Sequence, residues 1–98
     1  MESIRLNEEL RMRIEQAVGY LIKIGAKEIY LFGSMAHGRD RDNSDIDLAV
    51  SGIPPEKFFK VLGEVGDILR HPFDLIDLDE TNSFTRYLRE EGELRRVG

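Results

Sequence analysis

From Leu10 onward the apolar residues recur at Ile14, Ala17/Val18 and Leu21/Ile22, the three-and-four spacing of one helix face. Asn7 followed by Glu8-Glu9 marks the expected start, a capping side chain with acids against the positive end of the helix dipole, and Gly25 the expected stop. The period then shortens. Glu28-Ile29-Tyr30-Leu31-Phe32 is a run of strand formers and reads as a buried strand, emptying into Gly33-Ser34-Met35-Ala36-His37-Gly38 and a polar loop from Arg39 to Asn43. Ser44 opens a second strand, Asp45-Ile46-Asp47-Leu48-Ala49-Val50. Its alternation puts Ile46, Leu48 and Val50 on one face and Asp45, Asp47 and Ala49 on the other.

Ser51-Gly52 turns the chain, and Pro54-Pro55 suits the first turn of a second helix with the stripe Phe58, Leu62, Val65 and Leu69. Gly63 and Gly66 weaken that helix and Pro72 breaks it. Phe73 to Leu78 predicts a third strand. Asp79 is placed to cap a last helix through about Glu90, with Phe84, Tyr87 and Leu88 facing inward. Gly92 ends it, and Glu93 to Val97 allow a short edge strand. Helices alternate with strands and no repeat, linker or low-complexity stretch interrupts them, so the expectation is one α/β domain over residues 1–98.

Composition narrows the function more than the fold. A chain of 98 residues with no cysteine has neither a disulfide nor a thiolate metal site. No run approaches the roughly 20 apolar residues of a membrane span, and Met1-Glu2-Ser3-Ile4-Arg5 is no signal peptide, so the expected compartment is the cytoplasm, without membrane association. With 14 Lys and Arg against 19 Asp and Glu the net charge is −5, and the bases are dispersed apart from Arg39/Arg41 and a carboxyl-terminal group, Arg86, Arg89, Arg95 and Arg96. Direct nucleic-acid binding is disfavoured. The carboxyl-terminal arginines read as a solvated face, or else a partner surface.

The candidate chemistry is concentrated between Gly33 and Asp47. A strand ending in Gly33-Ser34 and leading into a helical turn offers free backbone N–H groups, no side chain to block a phosphate, and the Ser34 hydroxyl as a further donor. Asp45 and Asp47 are alternate strand residues that point the same way about 6.5 Å apart, close enough to converge on a hard cation such as Mg²⁺. Two acids on an otherwise apolar strand repel each other and resist desolvation, which a divalent ion would relieve. Asp74 on the neighbouring strand can complete a triad; Asp77 competes for that place but alternates onto the opposite face. Ser44 either contributes to the nucleotide site or only holds its loop through backbone bonds.

Gly33-Ser34, Ser44-Asp45-Ile46-Asp47 and the later Asp74 together resemble the polymerase-β-like nucleotidyltransferase superfamily. They are most similar to its minimal nucleotidyltransferases (MNT), the antitoxins of HEPN/MNT toxin–antitoxin pairs, and the resemblance covers nearly the whole chain. It implies the nucleotidyltransferase fold, a small mixed β-sheet flanked by helices. It implies Asp45, Asp47 and Asp74 as catalytic metal ligands for Mg²⁺, as two ions, with Asp74 also the general base, and Gly33, Ser34 and Ser44 as nucleotide-binding residues. The implied reaction moves AMP from ATP to a hydroxyl, a tyrosine of a partner HEPN toxin, with pyrophosphate leaving. His37 stands where such proteins often carry arginine, which removes a fixed positive charge; Arg39 or Arg41 could replace it.

Other readings stand beside this one. The chain could neutralise a toxin by binding alone, or act as a small-molecule transferase of the aminoglycoside type that needs a partner subunit to hold its acceptor. A homo- or hetero-oligomer is compatible with either. His37 and His71 have no third ligand nearby in sequence for zinc, and Gly63-x-x-Gly66 lies within a helical pattern and is no nucleotide fingerprint. The Phe58/Phe59 and Phe84/Tyr87 pairs are expected in the core.

Overall fold

A computed structural model of the chain describes residues 2–32, 45–92 and 94–98, with side chains from residue 8 onward. The order is α1 (Glu2–Lys23), β1 (Glu28–Phe32), β2 (Ile46–Ser51), α2 (Pro55–Leu69), β3 (Phe73–Asp77), α3 (Ser83–Glu90) and β4 (Arg95–Arg96). The strands form one mixed sheet in the order β3-β2-β1-β4. β1 pairs antiparallel with both β2 and β4, while β2 and β3 are parallel. Parallel neighbours need a crossover, and α2 is that connection.

The alternation along β2 sorts the molecule into layers. Ile46, Leu48 and Val50 are fully buried and share a core with Ile29 of β1, Leu75 of β3, Ala17, Val18 and Leu21 of α1, and Val61, Val65 and Leu69 of α2. The register sets Ile29 opposite Val50 and Leu31 opposite Leu48, so one sheet face is continuously apolar beneath α1 and α2. Each buried Leu, Ile or Val contributes about 1.5–3 kcal/mol. Ala49 points the other way into a smaller cluster with Leu78 and Leu88, and α3 covers that face. Gly66 lets α2 approach the sheet closely: a Cβ there would lie 3.3 Å from the Phe73 ring.

Several boundaries differ from expectation. Helix α1 begins at Glu2, so Asn7 lies inside it rather than capping it. No glycine or proline precedes Asn7, and a single asparagine costs too little to stop a helix. The stop at Gly25 is as expected. With φ +112° it accepts the left-handed turn, and the Ala26 N–H to Leu21 and Gly25 N–H to Ile22 bonds close a Schellman motif. Helix α2 ends at Leu69, before Pro72, because Arg70 turns left-handed at φ 50°.

Asp79 does not cap α3. It accepts the Gly52 N–H at 2.7 Å, and Asn82 is the cap, in a reciprocal box with Thr85. Shifting the helix start this way turns its inner face onto Thr85 and Leu88, so Phe84 and Tyr87 are about half exposed and Phe59 of α2 is 84% exposed. The carboxyl-terminal arginines Arg86, Arg89, Arg95 and Arg96 are all exposed, as expected of a solvated face, and two of them also tie elements together: Arg89 donates to the Leu78 carbonyl and Arg96 to the Gly98 and Lys27 carbonyls. No helix among the described residues is long and apolar enough to cross a membrane.

Candidate active site

Strand pairing builds the site. The Ile46 N–H donates to the Pro72 carbonyl at 3.0 Å, which locks β2 against β3 with Asp47 directly opposite Asp74. On the other side of β2, Asp47 is opposite Phe32 of β1. Phe32, Asp47 and Asp74 therefore form one row across three strands, on the face that α3 covers. The next row along is Tyr30, Ala49 and Ile76, which is apolar and partly or fully buried. The acids thus stand at the rim of a small hydrophobic cluster, at the end of the sheet where β1 finishes and β2 and β3 begin.

Neighbouring strands lie about 4.8 Å apart, so the register sets Asp47 and Asp74 side by side across β2 and β3. The electrostatics follow. Burial pushes the Asp47 carboxyl above the ordinary aspartate range, and the charges of Asp74 and Asp45 push it further. Asp45, exposed just before β2, and Asp74, exposed on the edge strand, remain open to solvent.

Asp77 is excluded from this row. It is opposite Val50, and its Oδ1 accepts the Asp79 N–H at 2.9 Å. Gly33, Ser34 and Ser44, and with them His37, Arg39 and Arg41, lie outside the described residues. Phe32 and Asp45, the described residues flanking that segment, both sit at the sheet end that carries the acids.

The donor set is all carboxylate oxygen, which suits a hard cation such as Mg²⁺. Among the described residues no group of three or more His, Asp or Glu side chains is arranged to hold a metal ion by itself. Mg²⁺ takes one or two carboxylates and completes its shell with substrate phosphate and water. Asp45, Asp47 and Asp74 fit that role by charge and by chemistry.

One feature of the site went unread in the sequence. Phe84 of α3 packs edge-on against Phe32, ring centroids 6.4 Å apart and planes at 65°, so an aromatic wall stands beside Asp47. Its only sequence signal was Phe32 ending a strand immediately before Gly33; Phe84 was read as core.

With this geometry in hand, the chain is similar to several solved structures. A chain in the crystal structure of a toxin–antitoxin with AMP-PNP matches at TM-score 0.62 and 25% identity, over 82% of this chain and 70% of that one. A protein described as a minimal nucleotidyltransferase matches at TM-score 0.67 and 23% identity, over 88% and 92%. A chain in the complex of tri-AMPylated Shewanella oneidensis HEPN toxin with MNT antitoxin matches at TM-score 0.57 and 21% identity, over 87% and 70%. No curated protein matches the chain at a significant level. The family model for polymerase beta nucleotidyltransferases matches residues 15–94, from within α1 to beyond α3 and across the whole acid row, and the chain belongs to that family.

Proposed function

We propose that the chain is a Mg²⁺-dependent nucleotidyltransferase that moves AMP from ATP to a hydroxyl, a tyrosine of a HEPN toxin partner, and that it acts in this way as an antitoxin. The observation that carries the reading is the register of Asp47 with Asp74, with Asp45 exposed just before β2 and two residues ahead of Asp47. Support also comes from the neighbouring toxin–antitoxin structure with AMP-PNP and the AMPylated HEPN toxin complex.

Asp45 and Asp47 would hold Mg²⁺, and Asp74 would share it. Mg²⁺ held there would supply charge neutralisation at the triphosphate and help set it in line for attack. Gly33, Ser34 and Ser44 are assigned to the phosphates. Asp74 is the outermost acid, and it takes the proton from the acceptor hydroxyl. The hydroxyl oxygen forms a bond to the α-phosphorus while the bond from that phosphorus to the bridging oxygen breaks, and pyrophosphate leaves with those electrons. Phe32 and Phe84 pack against each other beside Asp47.

The test is incubation with ATP labelled at the α-phosphate, Mg²⁺ and the protein encoded beside this chain. Label should pass to the partner with the wild type and fail with the Asp45→Asn/Asp47→Asn double variant, whose fold is checked by circular dichroism. Full toxin neutralisation by that transfer-dead variant would favour binding alone over catalysis. Transfer retained by it would remove Asp45 and Asp47 from the metal site.

A further inference from the structure

The acid row ends at an open edge of the sheet. β3 is the outermost strand of the described sheet, and no other described strand pairs with its far side. The Leu78 N–H bonds to Val50 and the Pro72 carbonyl accepts from Ile46, so the even-numbered residues of β3 turn their backbone groups toward β2. Strand alternation then turns those of Phe73, Leu75 and Asp77 outward, along the edge. Such an edge is a template for one more strand.

A groove follows this edge. Leu75, Ile76 and Asp77 form its floor, Phe58 of α2 flanks one side and Phe84 of α3 the other, in a depression of about 390 Å³. A second depression of about 560 Å³ continues from it past Phe58, Asp77 and Glu80 to the exposed Phe59 and Asp79. The charged groups of the two depressions and of the strand itself are Asp74, Asp77, Asp79 and Glu80, with Lys27 at the far end.

We propose that this edge docks an extended, cationic segment of a partner protein as an added strand of the sheet. Main-chain hydrogen bonds to Phe73, Leu75 and the Asp77 N–H would give the affinity, the Asp77 carbonyl already accepting from the Glu80 N–H at 3.2 Å, and Phe58, Phe59 and Phe84 would take alternate apolar side chains of the segment. The acidic rim selects basic residues. It also disfavours a second copy of β3, which would set these acids against themselves. Asp74 lies on the same strand, so a hydroxyl carried by the docked segment arrives at the outermost acid of the site. This last step rests on the nucleotidyltransferase reading; the docking itself does not.

The experiment uses the full chain labelled with ¹⁵N and titrated with a synthetic peptide, Arg-Val-Tyr-Val-Arg-Val. Saturable shifts are expected across residues 73–80, around Phe59 and at the start of α3. N-methylation of alternate peptide residues should weaken binding at least tenfold, because it removes the main-chain donors. Glu80→Lys should do the same through charge. Phe59→Ser, at a site too exposed to affect folding, provides a second variant and should also weaken binding.

Absence of binding, equal binding of the N-methylated peptide, or shifts centred on Arg95 and Arg96 would each overturn the proposal. So would self-association of the chain that Glu80→Lys abolishes while peptide binding is absent, which would make the occupant a second copy. AMP-PNP with Mg²⁺ is titrated into the same samples. Peptide binding without nucleotide binding would keep the docking edge and reject the transferase, and the reverse pattern would do the opposite.

Discussion

Replacing Asp47 by asparagine should stabilise the metal-free protein. Asp47 stands directly across from Asp74 on a parallel strand, and burial together with the charges of Asp74 and Asp45 raises its carboxyl pKa. Like charges directly opposite across a sheet cost about 0.2–1 kcal/mol. Coulomb's law at about 5 Å in a water-like dielectric gives a similar figure, about 0.8 kcal/mol. Removing one charge therefore returns about 1 kcal/mol, which for a domain of this size moves Tm up by roughly 4–8 °C.

The assay is thermal unfolding followed by circular dichroism at pH 7 in EDTA, at low ionic strength and again at 1 M salt. The gain should shrink at high salt, where the Debye length falls to about 3 Å. It should also shrink with acid. A raised acid pKa means that the folded state binds its proton more tightly than the unfolded one. The penalty is thus fully present above the folded-state pKa of Asp47, and it disappears as pH falls to the unfolded value near 3.9. Mg²⁺ should then raise Tm in the wild type, by about 1.4 kcal/mol of added stability at ten times its Kd, and do little for Asp47→Asn. An unchanged or lowered Tm for the variant in EDTA would refute the argument, because it would show that the carboxylates are not crowded in the folded state.

Leu48 is fully buried at the centre of the core, so Leu48→Ala should lower the free energy of unfolding in urea by about 2–5 kcal/mol; a loss under about 1 kcal/mol would show that the core refills the cavity. Asn82→Ala removes the side chain that accepts the Thr85 N–H at 2.9 Å, and should cost about 1 kcal/mol in the same measurement. Arg70 holds φ 50° at the end of α2, so Arg70→Gly should raise Tm by relieving about 1 kcal/mol of left-handed strain, and a lower Tm would mean that its side chain contributes more than its backbone costs.

How much of this was legible in the sequence depended on whether the signal was periodic or positional. The strict alternation from Asp45 to Val50 placed Ile46, Leu48 and Val50 in the core, as the structure has them, and Asp47 of β2 alternates with them. β1 agrees residue for residue, since a short run of β-branched and aromatic residues between turn signals admits few other readings. The pairing of Asp74 with Asp47, which fixes the row, depends on the register between strands far apart in sequence, and parity alone gave only its face.

Helix ends were less legible because several residues could cap. Asp79 and Asn82 both precede α3, and the choice was decided by the Gly52 N–H, which comes from a distant turn and takes Asp79. That choice rotated the apolar face of α3 and left Phe84 and Tyr87 at the surface. On α2 Phe58 packs against the core as expected while its neighbour Phe59 is exposed, and Phe84 and Phe59 stand beside the acids and the edge groove.

The arrangement of the acids makes stability and function separable at different residues. Asp47 carries the electrostatic cost of the site, since it is the acid with burial and two charged neighbours against it. Asp74 is solvent-exposed on the outermost strand of the described sheet, so a group arriving from outside meets it before Asp47. Glu80 lies beyond the row, in the groove that follows the same strand. A change at Asp47 should then yield a more stable protein that binds no Mg²⁺-nucleotide, while a change at Glu80 should leave nucleotide binding intact and blind the chain to its partner. A single small domain can hold both tasks because the sheet does the positioning for each. In the proposed reading β2 and β3 gather the acids, and the edge of β3 would receive the segment that carries the acceptor.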